Sequence, residues 1–308
     1  MKITLAIITC RRPQALQRLL ASLEALQVPA HYALSLLVVD NDASQSALSV
    51  LGEYKEVGRF PLVTVHEPTP GIPHARNAAL KAAHDTDYLA WLDDDEVATP
   101  CWLVCLLEAL QKTQADAVGG PVVPLLAPGG PHWISPAFYR RKAKPHHLPC
   151  TMLSTNNCLL NLRKWREHPV WFETALQFTG SSDTLFFLRL AQQGWRFGWS
   201  ATASVSEDIP LQRQTAAWLI QRQYRIGNGL SLCDVMLHGF AKAAPLRCAK
   251  ALVYFALGCM QLLRLPAAPY ASWVKARATW ARARGTLSGL FGHRYEEYAP
   301  TRLIGETA

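Results

Sequence analysis

The stretch Tyr88-Leu89-Ala90-Trp91-Leu92-Asp93-Asp94-Asp95-Glu96 runs from apolar side chains into four carboxylates with no turn residue between them. A short apolar run of this kind reads as a strand buried on both faces, so the carboxylates stand at its carboxyl end. Three consecutive aspartates raise one another's pKa unless a cation is near. A divalent ion with oxygen ligands removes that repulsion and commonly bridges carboxylates to a substrate phosphate. The plain alternative is a solvated acidic turn, and the company this strand keeps argues against it.

That company lies upstream. Ile3–Thr9, Leu34–Asp40 and Leu62–His66 read as three further buried strands. Between them Pro13 is placed to open a helix, with Leu16, Leu19, Leu20, Leu23 and Leu26 at helical spacing. His74–His84 and Cys101–Lys112 read as helices, the first after a turn-rich Glu67–Pro73. Strands alternating with helices predict a mostly parallel sheet, and ligands of such sheets gather at the strands' carboxyl ends. Here those ends carry Thr9, Asp40 and Asp93 to Asp95. After the first strand stands Thr9-Cys10-Arg11-Arg12-Pro13, with neither the glycines of a dinucleotide-binding turn nor a Walker lysine loop. A nucleotide would therefore be held by a metal and side chains.

Downstream, Pro124–Pro149 is rich in proline, glycine and basic residues and reads as a mobile connection or lid. Ser182–Gln193 reads as a helix with an apolar stripe at Leu185, Phe186 and Leu190, closed by Gly194, and Thr215–Ile226 as another.

The 308 residues suffice for one large α/β domain with an appendage, and half of them are apolar. The formal net charge of +8 is uneven: Val235–Tyr295 holds nine Lys or Arg and no acidic residue. Setting those nine of the 31 aside leaves 22 basic residues against 23 acidic ones. Eight cysteines without a CxxC pair predict reduced thiols in a cytosolic compartment. His146, His147, Cys150 and Cys158 match no standard zinc spacing. The apolar N-terminus has Arg11-Arg12 directly behind it and no small-residue cleavage site, so it reads as a buried strand rather than a leader.

Taken in order, several pieces resemble the inverting glycosyltransferases of family 2, which have the GT-A fold. They are Ile7-Ile8-Thr9-Cys10-Arg11-Arg12-Pro13, Val38-Val39-Asp40-Asn41-Asp42, Gly71 with Ala75-Arg76-Asn77, Leu92-Asp93-Asp94-Asp95-Glu96, and Gly180-Ser181-Ser182-Asp183. The resemblance covers roughly residues 3 to 230. It implies that Thr9, Arg12 and Asp40 hold the donor nucleotide, Asp40 through the base, and that Arg76 lies near the base and phosphates. Asp93, Asp94 and Asp95 would form the Asp-x-Asp element, with Asp93 and Asp95 as ligands of Mg2+ or Mn2+ and Asp94 on the donor. Asp183 would be the catalytic base, although the family's preceding glutamate is replaced by Ser182. An inverting displacement needs one base for the acceptor hydroxyl while the metal stabilises the departing diphosphate.

Val205-Ser206-Glu207-Asp208-Ile209-Pro210 and Gln221-Arg222-Gln223-Tyr224-Arg225-Ile226-Gly227-Asn228 resemble the branch that builds bacterial exopolysaccharide and lipid-linked oligosaccharide. Arg222 and Arg225, three apart, would share a helix face and support a diphosphate. Thr155-Asn156-Asn157 resembles the acceptor-side loop.

Ala251–Leu263 is apolar but for Gln261, flanked by Arg247, Lys250 and Arg264, and followed by Trp273 and Trp280 among lysines and arginines. It falls short of the roughly 18 residues needed to span a bilayer and suits the interface with anionic headgroups. Nucleic acid explains the charge but not the apolar run, and a C-terminal helix packed on the catalytic domain is the structural alternative.

The expectation is thus an α/β, GT-A type, Rossmann-like mostly parallel sheet flanked by helices with a helical basic C-terminal extension. Residues 1–230 would form the catalytic domain, 1–123 its nucleotide-sugar-binding half and 124–230 its acceptor half, with 231–308 beyond. The enzyme would be peripheral on the cytoplasmic face of the cell membrane. It would move a sugar from a nucleoside-diphosphate sugar, a UDP-sugar foremost, to a saccharide or polyprenyl-diphosphate-linked acceptor in cell-surface polysaccharide biosynthesis. The alternatives are a catalytically inactive glycan- or lipid-binding relative and a sugar-phosphate nucleotidyltransferase.

Overall fold

A computed structural model describes residues 1–140, 144–263 and 269–299. In chain order the elements are β1 (Lys2–Thr9), α1 (Pro13–Leu23), β2 (Ala33–Asp40), α2 (Leu48–Val57), β3 (Leu62–His66), α3 (Ile72–Ala82), β4 (Tyr88–Asp93), β5 (Glu96–Ala98) and α4 (Trp102–Thr113). There follow β6 (Ala117–Gly119), β7 (Val122–Leu126), β8 (Pro149–Cys150), β9 (Asn157–Asn161), α5 (Leu162–Glu167), α6 (Ser182–Gln192), β10 (Phe197–Trp199) and β11 (Val205–Ile209). Three long helices close the list: α7 (Ala216–His238), α8 (Phe240–Leu262) and α9 (Pro269–Leu290).

Eight strands form the main sheet in the order β3-β2-β1-β4-β9-β6-β10-β8, and β5-β11-β7 form a small second one. Along β3-β2-β1-β4 every pairing is parallel. β9 then runs antiparallel to both β4 and β6. The apolar runs of the first strands arise because both faces are covered. Ile3, Leu5 and Ile7 of β1 pack with Leu16, Leu19 and Trp102 on one side. Ala6 packs with Val39, Ala79 and Phe186 on the other. A strand buried twice has no polar alternation to show.

The chain forms two compact units. The first comprises Met1–Pro124, Arg140–Gln177 and Ser182–Asp208; the second comprises Leu125–Tyr139, Phe178–Ser181 and the described chain from Ile209. In the second unit Ile134, Tyr139, Ile209, Leu219 and Val274 share a core. Part of the stretch expected as a mobile connection is therefore packed, while residues 141–143 lie outside the described residues.

Helix α7 opens at the Thr215 cap, whose hydroxyl accepts from the backbone of Trp218 at 3.2 Å. It runs twelve residues past the expected Ile226, to His238. Helix α8 likewise extends N-terminally of the apolar run to 23 residues, and Arg264 lies outside the described residues. Among the described residues it is the one helix whose length and composition suit a membrane crossing, with a mean hydropathy of 1.3 over its most apolar window.

Candidate active site

The parallel register delivers the site. Thr9 of β1 stands beside Asp40 of β2, and Ile8 beside Asp93 of β4, so the three strand ends finish level. Thr9 is buried, and its hydroxyl donates to Oδ2 of Asp94 at 2.8 Å. Beyond β1 the backbone turns through Arg11 at φ 58°, and Pro13 opens α1. Arg12 is thereby aimed at the acidic run: its Nη1 donates to Asp94 Oδ1 at 3.2 Å and to Asp95 Oδ2 at 3.0 Å.

Burial and mutual repulsion dominate the electrostatics. Asp93 is pushed up to about 7, first by burial and then by Asp95, Asp94 and Glu207, with the Arg76 charge working against the rise. Asp94 is pushed up to about 6 by burial and Asp95, against the pull of Arg12 and the Thr9 hydroxyl. Glu96, almost wholly buried, lies well above the usual carboxylate range, again first from burial and then from Asp93. It accepts from the backbone of Asp93 at 3.0 Å and from Nδ2 of Asn156 at 3.2 Å.

Asp40 has a local task. It is 4% exposed, and its carboxylate accepts from the backbone amides of Asp42 at 3.0 Å and Ala47 at 3.0 Å, which shapes the loop into α2. Its neighbour Asn41 pins the next loop. The Asn41 amide donates to the carbonyls of Glu67 and Thr69, each at 2.7 Å, and accepts from Gly71 N at 3.1 Å. Gly71, at φ 129°, starts α3, and an added Cβ would meet that of Gln177 at 2.8 Å, so only glycine fits there. On α3, Arg76 is buried over the Phe172 ring, with 5.5 Å to its centroid, and donates to the Ser182 hydroxyl at 3.2 Å. Its Nε is buried without a hydrogen-bond partner among the described residues.

Asp183 occupies the first turn of α6, where its Oδ1 accepts from Thr184 N at 2.7 Å. The buried Cys158 thiol on β9 is pushed up by burial and senses Arg76, Asp183 and Asp93 together. Arg76 reaches α6 at Ser182, the residue before Asp183.

The expected loop residue Asn157 serves the fold: it accepts from Trp102 Nε1 at 2.8 Å and donates to the carbonyls of Pro121 and Ala203. Arg222 and Arg225 belong to the second unit. There Arg222 donates to the Phe138 carbonyl at 3.4 Å and lies over Trp218. Arg225 meets the Tyr298 hydroxyl at 3.0 Å and Glu297 at 3.3 Å.

Two carboxylates beyond those assigned from sequence join the cluster, Glu96 and Glu207, paired directly across β5 and β11. The signal for Glu96 was its place directly after the aspartates. Glu207 needed the strand register.

Among the described residues no three His, Cys, Asp or Glu side chains form a ready metal cage. Asp93 and Asp95 nevertheless fit a hard divalent cation of the Mg2+ type, which takes one or two carboxylates and completes its shell with phosphate oxygens and water. The raised values of Asp93 and Asp94 mark an acidic centre that gains from such a charge.

Residues 4–153 match the family described as Glycosyl transferase family 2. Over 312 aligned positions the chain is 31% identical to the succinoglycan biosynthesis protein ExoM of Rhizobium meliloti (strain 1021), covering 98% of this chain and 97% of that protein. Among solved structures it is similar to the mannosyltransferase PcManGT of Pyrobaculum calidifontis in complex with GDP-Man and Mn2+, with a TM-score of 0.61, 18% identity, and 94% and 87% of the two chains covered. It is also similar to S. aureus TarS 1–349 in complex with UDP, with a TM-score of 0.51, 15% identity and 96% and 93% covered.

Proposed function

The chain belongs to glycosyl transferase family 2 and is a glycosyltransferase with a GT-A fold; we propose that it transfers a sugar, with inversion, from a nucleoside-diphosphate sugar to a saccharide carried on a polyprenyl diphosphate. The observation that carries this reading is the contact set at the ends of β1 and β4. There Thr9 and Arg12 grip Asp94 and Asp95 beside a half-buried Asp93.

Thr9, Arg12, Arg76 and Asp94 bind the donor's nucleotide and phosphates, and Asp40 shapes the loop that receives the base. Asp93 and Asp95 would hold Mg2+ or Mn2+, which would offset charge developing on the departing diphosphate. Asp183 takes the proton of the acceptor hydroxyl as that oxygen attacks the anomeric carbon. On the second unit, Arg222 and Arg225 would support an acceptor phosphate. The likeness to ExoM supports a role in exopolysaccharide biosynthesis, for which the proposed place is the cytoplasmic face of the cell membrane, and the nucleotides bound by the solved neighbours support a UDP- or GDP-sugar, the UDP-sugar foremost.

The test is thermal stabilisation by UDP-, GDP- and dTDP-sugars, with and without Mn2+, on the wild type and Asp95→Asn. A ligand of the native state raises the melting temperature with the logarithm of its concentration over Kd. A shift confined to one nucleotide class, dependent on Mn2+ and lost in the variant, is the expected result. A folded protein unmoved by every donor overturns the donor site.

A further inference from the structure

Helix α8 is packed by a narrow stripe and bare over the rest of its surface. The stripe is Ala243, Arg247, Ala251 and Gly258, spaced to fall on one face. At Gly258 an added Cβ would lie 2.3 Å from Nε1 of Trp280, and that indole donates to the Phe255 carbonyl at 3.1 Å. Arg247 is buried and donates to Asp234 of α7 at 2.7 Å and to the Leu230 carbonyl at 2.7 Å. On the opposite side Leu252, Val253, Phe255, Leu257, Met260 and Leu263 stand exposed, Leu252 at 71% and Leu263 at 80%. Exposed apolar clusters of this kind on a soluble surface mark an interaction site.

Charge complementarity identifies the occupant. The segment Val235–Tyr295 holds nine basic residues and no acidic one. Lys242 on α8 and Lys275, Arg277 and Arg284 on α9 are exposed members of that segment. Exposed Tyr270 and Trp273 stack at 5.8 Å where α9 begins. An exposed apolar helix face in a segment whose charged side chains are all lysine or arginine, with interfacial aromatics nearby, fits an anionic bilayer surface.

The packing also decides the orientation. Thr279 donates to Gln261 at 3.0 Å and Trp280 to the Phe255 carbonyl, so the apolar half of α8 is fastened to α9. A crossing α8 would draw Lys275, Arg277, Arg282 and Arg284 toward the hydrocarbon, where each is costly. We propose that α8 lies in the plane of an anionic membrane, its Leu252–Leu263 face in the acyl boundary, and docks the enzyme beside its acceptor. This rests on the reading of the protein as a membrane-peripheral glycosyltransferase.

The test is flotation of the full chain with vesicles of phosphatidylcholine alone or mixed with phosphatidylglycerol. The variants are Phe255→Asp/Met260→Asp and, on the first unit, Leu48→Asp. The expected result is flotation of the wild type and Leu48→Asp with the anionic vesicles, release by alkaline carbonate, and a loss of about tenfold or more in the double variant. Melting temperature and donor-induced stabilisation, read on the same samples, show that the double variant is folded and separate failure of docking from failure of the donor site. Three results overturn the proposal. The wild type fails to float, the double variant floats like the wild type, or the bound protein resists carbonate. Dimers of the wild type that the double variant abolishes, without flotation, assign the face to a second copy.

Discussion

Nη1 of Arg12 sits 3.0 Å from Oδ2 of Asp95, so a guanidinium of the chain itself holds the carboxylate assigned to the divalent cation. The same nitrogen lies 3.2 Å from Asp94, whose carboxyl it pulls down against burial. In the proposed reading, Arg12 and the divalent cation would compete for one acidic centre.

Arg12→Gln removes that competitor. The expected outcome is tighter Mn2+ binding by the donor-free protein, by about three- to tenfold, together with weaker binding of the nucleoside diphosphate that Arg12 serves. Titration calorimetry with Mn2+ alone and then with UDP or GDP reads both effects. Unchanged affinity for Mn2+ alone would show that Arg12 and the ion do not share Asp95.

Asp93 gives a pH prediction with a definite sign. Its folded value of about 7 lies above the ordinary carboxylate value of 3.8, so between those pH values the folded metal-free protein binds more protons than the unfolded chain. The contribution to stability is fully present below about pH 4 and is lost as pH rises through 7, on the order of 4 kcal/mol in all. Asp93→Asn keeps the shape without the charge. It is expected to melt higher than the wild type at pH 8, to match it near pH 4, and to lose stabilisation by Mn2+ and donor. Melting curves across that range check it. Equal curves for the two proteins in the absence of metal would refute the assignment.

The strands that end at the site were legible because burial on both faces writes an unbroken apolar run, and β1, β2, β3 and β4 fall within a residue of the expected bounds. What stayed hidden depended on partners distant in sequence. Glu96 and Glu207 face each other only through strand register. The two backbone amides that engage the Asp40 carboxylate were hidden too, because loop geometry leaves no mark on residue type. Arg247 read as an interfacial charge and is instead buried against Asp234. The expected helix end at Ile226 falls just before Gly227 and Gly229, each of which lowers helix propensity by about 1 kcal/mol, yet α7 runs on through both to His238. At Gly227 the space is taken by the Arg282 carbonyl, 2.3 Å from where a Cβ would stand.

Asp183→Asn tests the base. A positioned general base contributes roughly a hundred- to ten-thousandfold, so the kcat for sugar transfer is expected to fall by about a thousandfold. Asp183 is half-buried, and among the described residues its hydrogen bonds go to Thr184 at the head of its own helix, so the fold is expected to survive. Donor-induced stabilisation should match that of the wild type. Measuring kcat beside the melting shift separates the roles. Full activity would move the base elsewhere, and loss of donor binding would recast Asp183 as a donor ligand.

The crossing of α7 and α9 gives a prediction about the second unit alone. A Cβ at Gly285 would lie 2.0 Å from the Tyr224 carbonyl, and one at Gly289 would lie 2.2 Å from that of Asn228. Both obstacles are helix backbone, which cannot rotate aside as a side chain can. Gly285→Ala should therefore force the helices apart and cost about 1–3 kcal/mol or more, although alanine is the better helix former. Gly52→Ala, whose Cβ meets nothing within 4 Å, should be neutral or stabilising by a few tenths of a kcal/mol. Denaturant unfolding of the two variants checks the contrast. If Gly285→Ala were as stable as Gly52→Ala, α7 and α9 would not cross as closely as their backbones do here, and the packing that carries α8 would need another origin.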